Sequence, residues 1–154
     1  MPVVQIYAND AFELLKKDNN SFLVDVRTPE EVNFVGFVEP NSINNRLIFL
    51  PWQTLPHMNL NADFGEKLKE SIMAMSQVNS KLPNFKPSLN LIECKIIFIC
   101  RSGSRSNQAA NYSLNLGYQN CYNLAFGFEG ELNSENQRGK INGWKASNLK
   151  WIQS

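Results

Sequence analysis

Apolar positions along the chain fall into short β-branched runs separated by stretches with helical spacing. Val3–Tyr7 predicts a short strand. Asn9 or Asp10 then caps a helix through Lys17, in which Ala11, Phe12, Leu14 and Leu15 recur at helical intervals. Ser21–Val26 (SFLVDV) is an apolar, β-branched run that reads as a buried strand. Pro29 opens a short helix, Pro29–Phe34, because a proline is tolerated in the first turn. Pro40–Asn45 is turn-rich and leads into an apolar segment, Leu47–Leu50. Residues Ala62–Gln77 predict an amphipathic helix with Phe64, Leu68, Ile72 and Met75 on one side. Lys81–Asn90, containing Pro83 and Pro87, reads as a connection. Lys95–Cys100 (KIIFIC) has the apolar continuity of a central parallel strand. A helix from about Ser104 to Leu116 stops at Gly117, and Asn120–Leu124 forms another short strand. Alternating strands and helices predict a three-layer α/β fold with a mainly parallel sheet of about five strands flanked by helices.

Composition narrows the function classes. A chain of 154 residues fits a single domain over positions 1–154. Fifteen basic against fourteen acidic residues leave a net charge of +1, so no sequence-independent attraction to nucleic acid or anionic membrane is expected. The 43% hydrophobic content argues against a disordered chain. MPVVQIYANDAFELLKK lacks the basic head and apolar run of a secretory signal. Apolar runs such as Ile96–Cys100 fall far short of the roughly 20 residues a membrane-spanning helix needs. Three cysteines, an odd number, favour free thiols in a reducing compartment, so a cytoplasmic location is expected. One histidine and three scattered cysteines make no recognisable ligand set, and no metal is expected.

The stretch that carries chemistry is IIFICRSGSRSNQAANYSLNLGY, Ile96–Tyr118. A cysteine ends the predicted central strand, a loop of small residues follows, and then a helix. Ligands bind at the carboxyl ends of such strands. Gly103 permits a tight turn, while Ser102 and Ser104 are small enough for backbone N–H groups to point inward. The helix N-terminus adds partial positive charge; Arg101 and Arg105 add full charges. In such surroundings a thiol pKa falls from about 8.5 to roughly 3.5–7.5, so Cys100 is the predicted nucleophile. A buried, inert strand cysteine is the ordinary alternative.

The segment CRSGSR, Cys100–Arg105, resembles the active-site loop of rhodanese-domain sulfurtransferases. VDVRTPEEV at Val24–Val32 is similar to that family's first signature, with Asp25, Arg27 and Glu31 at matching positions. AFGFEG at Ala125–Gly130, followed by Gly143–Trp144, resembles its C-terminal signature. The resemblance implies a single-domain enzyme that needs no cofactor. Cys100 takes a sulfane sulfur from a small anionic donor such as thiosulfate, becomes a persulfide, and passes that sulfur to cyanide, a thiol or a protein. It places Arg101, Ser102, Gly103, Ser104 and Arg105 in the substrate loop; Asp25 and Arg27, a charged pair at a strand end, are expected to support it in one local hydrogen-bond network with Glu31. The chain departs from the family at Gly36–Ser42 (GFVEPNS), which lacks the usual histidine, and in ELNSENQRGKING, residues 131–143, read as an inserted surface loop.

Two other readings compete. A cysteine phosphatase or arsenate reductase uses a similar cradle but places its arginine one position later, where this chain has Ser106. A catalytically silent rhodanese-like module would only bind a partner or sense redox state. His57 reads as a solvated loop residue, Trp144 and Trp151 as packing residues, and Cys94 and Cys121 as thiols near strands, either of which could resolve a disulfide with Cys100.

Overall fold

A computed structural model describes residues 2–54, 59–79 and 93–153. His57 and the Lys81–Asn90 connection lie outside the described residues. Five parallel strands form the central sheet: β1 (Val4–Ile6), β2 (Ser21–Asp25), β4 (Leu47–Phe49), β7 (Lys95–Ile99) and β8 (Asn120–Leu124). Their spatial order is β1-β8-β7-β2-β4, so β7 is central and pairs with β2 on one side and β8 on the other. Strand β2 is buried along its whole length and all of β7 except Lys95 is buried, which is why both read as near-continuous apolar runs.

Helices cover both faces. Helices α3 (Phe64–Asn79) and α4 (Ser104–Asn115) supply Phe64, Leu68, Ile72, Ala109 and Ala110 to one core, where they meet Phe22, Val24, Ile96 and Phe98. Helix α1 (Ala8–Lys17) and a short helix α5 (Gly143–Ala146) cover the other face, packing Ala11, Leu15 and Trp144 with Leu23, Ile97, Ile99 and Phe128. This is the three-layer arrangement that the alternating pattern predicts.

Several boundaries differ from expectation. Helix α1 starts at Ala8, so neither Asn9 nor Asp10 is its cap; Tyr7 holds that position without a side-chain hydrogen bond. Helix α2 (Pro29–Val35) begins instead with a full capping box, Thr28 with Glu31. Residues Pro40–Ile43 form a turn of 3-10 helix. Two small antiparallel pairs went unanticipated: β3 (Phe37–Val38) with β9 (Trp151–Ile152), and β5 (Gln53–Thr54) with β6 (Asn59–Leu60). Trp144 is fully buried, as a packing residue should be, while Trp151 is partly exposed on β9.

Candidate active site

Strand β7 delivers Cys100 to the carboxyl edge of the sheet, and the chain turns at once into α4. Gly103 makes this turn at φ +111° as the N-cap of α4, a backbone state that an L side chain rarely adopts. The turn aims the Gly103 N–H at Cys100 Sγ, 3.1 Å away. Ser106 Oγ, on the first turn of α4, lies at the same distance, 3.1 Å. Of the several inward-facing amides expected of the loop, Gly103 N–H alone reaches the sulfur among the described residues, and the Ser106 hydroxyl lies beside it. Cys100 itself is 1% exposed.

The loop is held from below by AFGFEG. Phe128 N donates to Cys100 O at 2.8 Å and Glu129 N to Arg101 O at 2.9 Å. Gly127 is required there: a Cβ would lie 2.5 Å from Cys100 O, and its φ is +61°. Phe126, on the same turn, sits at φ +68°, a strained state for an aromatic residue, and stacks on Tyr7.

The arginines of the loop are engaged differently. Arg105 makes a two-pronged ion pair with Glu31, at 2.6 and 2.8 Å, tying the loop to α2. Burial pushes the Glu31 carboxyl up, but the Arg105 guanidinium and the hydrogen bonds from Thr28 outweigh it, and its pKa is lowered to about 2. The same hydrogen bond raises the Arg105 pKa against the opposing effect of its own burial, and the Glu31 charge adds to it. Arg101 faces solvent and pairs with Glu129 at 3.3 Å.

The expected single network of Asp25, Arg27 and Glu31 is in fact two. Asp25 and Arg27 form a buried pair, 2.7 Å apart, in which Arg27 also donates to Gly36 O and lies over the Phe128 ring. Glu31 turns instead to Thr28 and Arg105 because the capping box places it at the start of α2, facing the loop. Both pairs brace the site from β2 and α2.

Sequence reasoning passed over Ser106, Asn123 and Gln5. Ser106 donates to Asn123 Oδ1 at 2.5 Å, and Asn123 Nδ2 donates to Gly103 O and to Gln5 Oε1. The available signal was positional: Ser106 lies in the first turn of the helix that follows the cysteine, and Asn123 is a buried polar residue near the carboxyl end of β8. An open cleft of about 580 Å³ adjoins the loop, lined by Ser102, Gly103, Tyr7, Phe126, Leu132 and Arg138 among others. The 131–143 insertion therefore borders the site: Arg138 folds back to donate to Gly130 O at 2.7 Å. Among the described residues no group of His, Cys, Asp and Glu could hold a metal ion, and no helix is long and apolar enough to cross a membrane.

These features define a class: a three-layer α/β protein that carries a buried thiol in a tight loop between its central strand and a helix. The family model for the rhodanese-like domain matches residues 8–133, and the chain belongs to that family. An uncharacterised protein of Rickettsia conorii is 41% identical over 151 residues, covering 98% of each chain. The crystal structure of Rv0390 from M. tuberculosis is similar at 30% identity over the full length of both chains, with a TM-score of 0.75. The fold is also that of a homodimeric polysulfide-sulfur transferase from Wolinella succinogenes, at 16% identity and a TM-score of 0.58, covering 99% of this chain and 80% of that one.

Proposed function

We propose that this chain, acting as one domain over residues 1–154, is a sulfurtransferase working through a Cys100 persulfide. The observation that carries the reading is the Gly103 N–H directed at Cys100 Sγ from the N-terminus of α4. A donor placed there meets a nucleophile next to a hydrogen-bond donor and the positive end of a helix dipole. Family membership and the shared fold of a sulfur transferase support the same chemistry.

In the first step the Cys100 thiolate attacks the outer sulfur of a thiosulfate-like donor. The donor's S–S bond breaks, its electron pair leaves with sulfite, and Cys100 carries a persulfide. In the second step cyanide or the thiolate of a small molecule or protein attacks the terminal sulfur, the persulfide S–S bond breaks with its electron pair on Cys100, and the Cys100 thiolate is regenerated without any external oxidant or reductant. Arg101, half exposed at the mouth of the loop, draws in the anionic donor. Ser102, Gly103 and Ser104 form the loop wall. Arg105, fixed by Glu31, holds the loop in shape and adds positive potential. Asp25 and Arg27 keep β2 and α2 in register beneath it. No cofactor enters the scheme, and a cytoplasmic setting suits a persulfide that must meet reduced thiols.

The test is mass spectrometry of the protein after thiosulfate treatment. One added sulfur on Cys100, removed by cyanide and absent in Cys100→Ser, is expected. A protein that acquires no sulfur from thiosulfate, polysulfide or a persulfidated thiol is a binding or sensing module instead.

A further inference from the structure

The hydroxyl beside the nucleophile is already committed elsewhere. Cys100 Sγ and Ser106 Oγ are 3.1 Å apart, and that same oxygen donates to Asn123 Oδ1 at 2.5 Å. A serine has one proton to give. Asn123 cannot exchange its amide ends to release it, because Nδ2 donates to the backbone carbonyl of Gly103 at 3.1 Å and a carbonyl only accepts. Gln5 Oε1 takes the other Nδ2 proton at 2.8 Å. With the Ser106 proton on Asn123, the contact to sulfur must be a Cys100 S–H donating to Ser106 Oγ. This arrangement fits the protonated thiol; a thiolate would face the lone pairs of the hydroxyl.

We propose that Ser106 is a two-position hydroxyl that turns from Asn123 to the sulfur when Cys100 ionises, and that Asn123 is the positioning residue that competes for it. The inference rests on the proposed nucleophilic role of Cys100. As the thiol ionises, the S–H bond breaks with its electron pair left on sulfur, and the proton passes to a solvent base. The Ser106 O–H bond stays intact and only rotates about Cβ–Oγ. Hydrogen bonds to a charged acceptor are roughly twice as strong as neutral ones, so the hydroxyl favours Asn123 before ionisation and sulfur after it. Ser106 is 0% exposed, so water does not replace it. The charged side chains of the loop and of the elements that brace it, Arg105 with Glu31, Asp25 with Arg27, and Arg101 with Glu129, are all partnered outside this triad. They remain unchanged when Ser106 or Asn123 is replaced.

The experiment follows thiolate ultraviolet absorbance against pH, with the Cys100→Ala spectrum subtracted. Cys94 and Cys121, both pushed up to about 12 by burial, stay out of the window. Ser106→Ala raises the Cys100 midpoint by about one unit, the size of one charge-assisted hydrogen bond. Asn123→Leu frees the hydroxyl and lowers the midpoint by roughly half a unit relative to the same substitution made in Ser106→Ala, a comparison that cancels the loss of its bonds to Gly103 O and Gln5. Ser106→Thr keeps the native midpoint and separates loss of the hydroxyl from loss of packing. An Asn123→Leu shift that is the same with and without the Ser106 hydroxyl, or a native midpoint in Ser106→Ala, overturns the proposal. If Asn123→Leu does not fold, the Ala and Thr variants decide alone, and equal shifts in both overturn it. The titration needs no turnover, so it stays readable in a protein that transfers no sulfur.

Discussion

Strand β7 is flanked by a thiol at each end, and the two thiols meet different surroundings. Cys94 and Cys100 are equally inaccessible, at 0% and 1% exposure, and both belong to the core between the sheet and helices α3 and α4. At the amino end Cys94 lies among apolar groups near Cys121 and Tyr118; burial first, then the neighbouring Cys121, pushes its pKa up to about 12. At the carboxyl end Cys100 meets an amide hydrogen, a serine hydroxyl and the start of a helix. The two thiols are equally buried, so what separates them is the polar groups buried along with Cys100. Distance keeps the two ends apart. At about 3.3 Å per residue the six steps from Cys94 to Cys100 span roughly 20 Å. Cys121, in register with Ile96, sits about 13 Å along the strand direction from Cys100. A disulfide needs Cα atoms within roughly 7 Å, so within one molecule neither cysteine resolves Cys100.

Three substitutions test this contrast. The largest effect is expected from Gly127→Ala, which drives a Cβ into Cys100 O and Arg101 and forces a left-handed backbone. A loss of about 3 kcal/mol in denaturant unfolding, with persulfide formation abolished, would show that the carboxyl end is built by its floor. A native-like midpoint would break that view. Glu31→Gln comes next. The Glu31 pKa is lowered from 4.5 to about 2 in the folded protein, so its ionised form stabilises the fold above pH 4.5, and that contribution is lost as pH falls through about 2. The variant loses about 1 kcal/mol at neutral pH, a value reduced for partial solvent exposure, and its stability falls less steeply between those two pH values. An unchanged acid-unfolding profile would remove the Glu31–Arg105 tie from the account. The smallest effect belongs to Cys121→Ala at the silent end. It costs about 1 kcal/mol through lost packing and leaves Cys100 persulfide yield unchanged, as peptide mapping would show. Sulfur found on Cys94 or Cys121 would erase the distinction between the ends.

How much of this could be read in advance varied with the range of the forces involved. Strand β7, the loop and α4 were legible because a continuous apolar run, a glycine and a helical pattern are local signals. The start of α1 was misplaced because Asn9 and Asp10 are good caps, yet Ala8 is buried and draws the first turn forward onto the sheet. The pairing of Phe37–Val38 with Trp151–Ile152 was invisible, since two-residue strands far apart in sequence leave no periodicity. At the site the residue types were right and the partnerships incomplete. Asp25, Arg27 and Glu31 looked like one cluster on spacing alone, and only the direction of α2 separates Glu31 from the other two. Ser106 and Asn123 were missed because their roles come from contact between α4 and β8.

The Gly103 turn is fastened by pieces of chain made well before and well after it. Gln5 reaches Asn123 across 118 positions, and the supporting Phe128 amide is synthesised after the sulfur it positions. On the ribosome the sulfur and its loop therefore emerge before the strand and turn that hold them, and the loop is braced only when the last strand of the sheet docks.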